Sequence, residues 1–169
     1  MMTLFRISAL VCVSLAMTMG TGVAETQLGI HGDWEAFQDI EDGKPVCYMA
    51  SVPTKAVGKY KKRGKTYLII THRPGSNSRN VVSYRAGYTF KKGAKVDFII
   101  GKKAVKLFTN DGWAYTPDAE QDLALVKMMV QGAKLTVKGT SSRGTKTTDT
   151  YSLKGFTAAY KAIGKACKI

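Results

Sequence analysis

Ala94 to Tyr115 reads AKVDFIIGKKAVKLFTNDGWAY, and this stretch decides the fold class. Val96, Phe98 and Ile100 fall on one face of an extended chain, whose side chains alternate with period two. Gly101-Lys102 follows as a two-residue turn in which glycine supplies the positive φ needed first. Ala104 to Thr109 then runs back with Val105 and Leu107 on one side. Asp111-Gly112 is a second tight-turn signal, leading into Trp113 to Tyr115. Successive hairpins of this kind predict an antiparallel sheet.

The same texture extends in both directions. Trp34 to Ile40 and Pro45 to Val52 read as strands, the second carrying Cys47 and Tyr48. Lys65 to Arg73 holds Tyr67, Leu68, Ile69 and Ile70, apolar on both faces as in a central strand. Pro74 to Asn77 marks a turn. Val81 to Tyr84, Tyr88 to Phe90, Lys134 to Lys138 and Thr147 to Leu153 complete the set. Two helices interrupt it. Thr116-Pro117-Asp118 predicts a helix start, with Thr116 as cap, Pro117 at the first position and acids in the first turn. Ala119, Leu123, Val126 and Val130 then form the expected inner stripe, and Gly132 ends it. Phe156, Tyr160, Ile163 and Cys167 repeat at helical spacing near the C-terminus. About ten short strands with two brief helices predict a mainly β protein, a β-sandwich.

The N-terminus has the order of a secretory signal. Arg6 precedes an apolar stretch from Ile7 to Met19, then small residues end in Gly22 and Ala24. The stretch is shorter than the ~20 residues that span a bilayer. Cleavage is expected after Ala24, with Cys12 lost as an ordinary apolar residue and no stable membrane insertion afterwards. Residues 25–169 then form one domain. Cys47 and Cys167 remain, and two cysteines in an exported chain predict one disulfide. It closes a loop of about 120 residues, for which chain entropy allows roughly 5 kcal/mol at most.

The charge is uneven. The 169 residues hold 26 Lys and Arg against 12 Asp and Glu, and the mature chain keeps a net charge of +13. Six of the acids lie between Glu25 and Asp42, so the remainder is strongly basic. Such a field favours polyanions. In the periplasm these are lipopolysaccharide phosphates or acidic glycans rather than nucleic acid. The concentrated feature is Lys55, Lys59, Lys61, Lys62, Arg63 and Lys65, with Tyr60 among them and no acid. Two readings stand: a loop that binds phosphate or sulfate groups through charge, or a solvated hairpin loop before the central strand.

Motifs for chemistry are not found. His31 and His72 are the only histidines, and neither has a second at ligand spacing, so no metal is expected. There is no nucleophile elbow, phosphate loop or dinucleotide fingerprint. Asp33, Glu35, Asp39, Glu41 and Asp42 have a spacing that places several on one solvent face of a strand, not as an acid pair. The expectation is a non-enzyme without cofactor, whose partner is a protein or an anionic envelope or host glycan.

Several stretches together carry a resemblance. Gly139 to Phe156, with Arg143, Gly144, Asp149, Tyr151 and Gly155 in it, is similar to the C-terminal signature of the invasion-associated locus B proteins, and Cys167 closes it. Trp34, Cys47, Thr71 to Pro74 and Gly87 to Gly93 resemble the family upstream, so the likeness covers the whole mature chain. The resemblance implies an immunoglobulin-like β-sandwich exported by a Gram-negative bacterium and placed in the periplasm, associated with the outer membrane, or secreted. It also implies a part in host-cell invasion, as one use of a general envelope protein; the alternative is an envelope module that binds lipopolysaccharide or peptidoglycan through the basic face. No catalytic residues come with it. Arg143 is expected to pair with Asp149 across a turn, and Gly155 to let the strand enter the helix.

Overall fold

The computed structural model describes residues 25–169; the proposed signal at 1–24 lies outside them. The chain runs through β1 (Thr26–His31), β2 (Trp34–Glu41), β3 (Lys44–Ser51), β4 (Lys55–Gly58) and β5 (Tyr67–Arg73). A 3-10 turn (Pro74–Ser76) leads to β6 (Ser78–Arg85), β7 (Val96–Ile100), β8 (Lys103–Asn110) and β9 (Trp113–Tyr115). Then come α1 (Ala119–Gln131), β10 (Lys134–Thr140), β11 (Lys146–Ser152) and α2 (Phe156–Ala166).

Every strand pairing is antiparallel, in the order β1-β2-β3-β5-β6-β9-β8-β7-β10-β11-β4. The fold is mainly β with two helices, as expected, and its two layers are stretches of one continuous ladder. β8 joins them. Its first half, up to Leu107, pairs with β7, and Phe108 to Asn110 pair with β9. The layers close on each other through aromatic contacts. The Tyr84 ring of β6 meets Phe98 of β7 at 5.9 Å and Tyr151 of β11 at 6.4 Å, both edge to face. Such pairs add about 0.5–1.5 kcal/mol beyond the area they bury.

Both hairpins around β8 are as expected. Ile100 faces Lys103 across Gly101-Lys102, with Gly101 at φ 59°, and Asn110 faces Trp113 across Asp111-Gly112. Asp42-Gly43 makes a third, joining β2 to β3. Other expectations are corrected. Tyr88 to Phe90 is not a strand: it makes a single bridge, Phe90 to Ser141. β1 and β4 are strands that the apolar pattern did not reveal, because both lie on edges and bury little. The chain from β4 to β5 is no hairpin. It crosses from the edge beside β11 back to the layer of β3.

α1 is rotated from its expected face. Asp118, not Thr116, is the cap, its carboxylate accepting the Gln121 N–H at 2.8 Å. Leu125, Val126 and Met129 are buried together with Asp122, whereas Leu123 and Val130 are exposed. Thr116 donates its hydroxyl to Asp122 Oδ1 at 2.5 Å, and the same oxygen accepts the Val82 N–H of β6 at 2.8 Å. A buried polar group of this kind is tolerated because its bonds are made.

α2 matches expectation. Phe156, Ala159 and Ile163 are buried, and Cys167 continues the stripe into a disulfide with Cys47, Cα atoms 5.9 Å apart. The helix covers β1, β2, β3 and β5, with Phe156 edge-on to Trp34 at 4.9 Å. Gly155 caps it at φ 88°. A Cβ there would collide with the His31 carbonyl, so this glycine serves close approach as well as a strand-to-helix bend.

Candidate anion-binding cleft

The site is built around Asp149, wholly buried in β11. Arg63 reaches it from the loop between β4 and β5 and donates two hydrogen bonds, 2.6 Å each, one to each carboxylate oxygen. The Arg63 side chain is itself only 5% exposed. Its Nε donates to the Ala86 carbonyl at 2.7 Å, and the Tyr84 hydroxyl donates to Asp149 Oδ2. Burial, with the Asp149 charge beside it, pushes the Tyr84 hydroxyl well above its ordinary range, so it remains a donor. The guanidinium also lies 5.5 Å from the Tyr60 ring centre and 5.1 Å from that of Tyr88.

Two expectations are corrected here. Arg143 does not pair with Asp149, because Arg63 occupies both its oxygens. Arg63 in turn leaves the set of polyanion ligands. Removing either partner would strand a buried charge, at a cost of about 3–5 kcal/mol. The basic loop is therefore neither wholly solvated nor wholly available: one arginine anchors it from inside.

That anchor shapes a cleft of about 600 Å³. One wall is the loop, presenting Lys59, Tyr60, Lys61 and Lys62. The opposite wall is the turn between β10 and β11, with Ser141, Ser142, Arg143 and Thr145. The floor is Gly64 to Gly87, whose N–H and carbonyl meet at 2.9 Å. Gly87 sits at φ 74°, and a Cβ on it would strike the Gly64 carbonyl. Lys59, Lys61, Lys62 and Arg143 are exposed, and none has a carboxylate partner among the described residues. The Asp149 carboxylate beneath the loop is neutralised by Arg63. Four cations, several hydroxyls and two phenol rings suit an anionic ligand. Of the remaining loop residues, Lys65 lines an adjoining depression, and Lys55 stands on β4 outside both.

The histidines lie elsewhere. His72 is buried in β5, its Nδ1 accepting the Asn80 N–H at 3.0 Å. Burial, with Arg79 adding to it, lowers its pKa to about 4, so the ring is neutral at pH 7. His31 ends β1. Among the described residues no group of three metal-ligating side chains converges, and no helix is long and apolar enough to cross a membrane. Arg143 is the cleft residue whose place sequence reasoning missed. Its position opposite the lysine loop depends on pairing between distant strands.

Comparison with known proteins bears on most of the chain. The crystal structure of invasion associated protein B from Bartonella henselae superposes with a TM-score of 0.58 at 14% identity, covering 85% of this chain and 97% of that one. No curated protein matches. The sequence model of the invasion associated locus B (IalB) proteins matches residues 34–164. The chain belongs to the invasion associated locus B family.

Proposed function

We propose that this protein is an exported, non-catalytic interaction protein of the bacterial envelope that contributes to host-cell contact by holding an anionic partner in its basic cleft. The observation that carries the reading is the cleft itself, where Lys59, Lys61, Lys62 and Arg143 converge with no carboxylate among them. The export reading draws support from the disulfide, which persists in oxidising compartments such as the periplasm, and from the signal-like order of residues 1–24. The host-cell part of the reading rests on family membership.

The test is binding of the disulfide-bonded protein to heparin, lipopolysaccharide and peptidoglycan across a salt series, with host-cell adhesion measured in parallel. Binding and adhesion that both drop in a Lys61→Glu, Lys62→Glu variant are expected. Preference for lipopolysaccharide or peptidoglycan without adhesion would move the protein to general envelope maintenance. Equally weak binding to all three, lost by physiological salt, would show the charge to be decoration.

A further inference from the structure

The cleft does not end at Gly64 and Gly87. Beyond their backbone contact a second depression of about 580 Å³ opens, lined by Lys65, Tyr67, Arg85, Asp111 and Trp113. It shares Gly64, Gly87, Tyr88 and Thr89 with the first, so the two meet over one floor. Strand register orders its far side. Tyr67 of β5 pairs with Arg85 of β6, and Arg85 with Trp113 of β9, so ring, cation and ring stand in a row on one face. Adjacent strands lie about 4.8 Å apart, which separates the two rings by roughly 10 Å.

The row is preorganised. The Arg85 guanidinium sits 5.4 Å over the Trp113 ring, and Trp113 stacks along Tyr115 at 6.3 Å. Tyr67 and Trp113 are half-buried, whereas Arg85 is exposed and has no carboxylate partner among the described residues. Asp111 is the one acid of this half, and its Oδ1 accepts the Thr89 hydroxyl at 3.0 Å. Apart from the ring contacts above, no hydrogen bond or ion pair among the described residues engages the side chains of Tyr67, Arg85 and Trp113.

We propose that the two depressions form one groove for an acidic oligosaccharide. This rests on the reading of the basic cleft as an anion site and adds the ligand class. The cations, Lys59, Lys61, Lys62 and Arg143 on one side and Lys65 and Arg85 on the other, take sulfate, phosphate or carboxylate groups along the ligand. Flat ring faces at Tyr67 and Trp113 receive the apolar C–H faces of sugar rings, which a bare polyphosphate lacks. Ser142, Thr89 and Thr145 offer hydroxyls to those of the ligand. A neutral saccharide would leave the cations without partners.

The experiment compares four ligands of similar length on the disulfide-bonded protein: a heparin octasaccharide, a phosphorylated lipopolysaccharide core oligosaccharide freed of its acyl chains, inorganic polyphosphate, and single-stranded oligodeoxynucleotide. One of the two saccharides is expected to bind more tightly than polyphosphate and with a shallower salt dependence; which one identifies the source. Trp113→Ala is expected to weaken that saccharide roughly tenfold, the scale of one lost stacking contact, and to leave polyphosphate unchanged. Trp113→Tyr, which keeps a ring, should restore most of the affinity and guards against a folding artefact. Arg85→Gln should weaken both ligands. Polyphosphate binding equal to saccharide binding, with Lys61 and Lys62 still required, would leave the anion cleft standing and overturn the saccharide groove. Saccharide affinity indifferent to Trp113→Ala, or preference for the oligonucleotide, would overturn it as well. No binding of any polyanion would end both readings.

Discussion

Arg63 shows how one residue divides a run of like charges. Its neighbours Lys61 and Lys62 face water, while its own guanidinium is held by Asp149, Ala86 and two phenol rings. Arg63→Ala or Asp149→Asn is therefore expected to lower stability by about 3–5 kcal/mol in denaturant unfolding. Arg143→Ala, at an exposed site, should stay within about 0.5 kcal/mol. Equal effects at the two arginines would refute the anchor. Nothing local in the sequence separates Arg63 from its lysine neighbours, since its partner lies 86 positions away. His72 gives a second prediction. Its pKa falls from 6.5 when unfolded to about 4 when folded, so the unfolded chain binds the extra proton between those values. Stability should decline as pH drops from 6.5 to 4, by up to about 3 kcal/mol, and flatten below. Replacing His72 by Gln should remove that part of the slope, measured as the difference from the parent protein across the same window.

Among the elements, legibility follows how local the determining contacts are. The hairpins at Gly101 and Asp111 could be read because a two-residue turn is specified by its own residues. Asp42-Gly43 carries the same signal and was equally readable. α1 could be located but not oriented. Its buried stripe includes Asp122, and an apolar pattern cannot foresee a carboxylate satisfied by Thr116 and by the backbone of β6. Asp122→Ala should therefore leave the Thr116 hydroxyl and the Val82 N–H short of their acceptor and cost about 1–3 kcal/mol, read in thermal unfolding. α2 was readable in both place and face because its stripe is apolar and ends in the bridging cysteine. Its dependence on that bridge is testable. Cys167→Ser should destabilise the protein by about 2–5 kcal/mol, with amide exchange in α2 accelerating more than in β10 and β11. Uniform acceleration would show that the bridge does not specifically hold the helix.

Across the molecule, the acids and the lysine loop belong to different strands of the ladder. The acids of β2 lie near one end of the strand order, and the lysine loop follows β4 at the other. The excess of basic residues could be counted from the sequence. Which of them share a groove could not, because loop 59–66, the β10–β11 turn and strands β5, β6 and β9 are brought together by pairings distant in sequence, β4 with β11 and β6 with β9. Lys61→Glu with Lys62→Glu should leave the thermal midpoint within a few degrees, since both side chains are exposed and unbonded within the fold. A collapse of that midpoint would mean the lysines support the loop after all.

The covering of β1, β2 and β3 by α2 also sets an order of events at birth. A chain is made from its N-terminus, so these three strands emerge with Trp34 and Cys47 uncovered and wait for Phe156 to Cys167 to close over them. Closure over these strands is thus postponed until α2 has been made, and a nascent chain has a long interval with sticky surface exposed. Chains halted before Phe156 are expected to stay open to protease, and chains that extend through Cys167 to become resistant in a single step. A protein built this way arrives unfinished wherever its last segment has not yet followed, which is the state in which a polypeptide can still be threaded through a narrow passage.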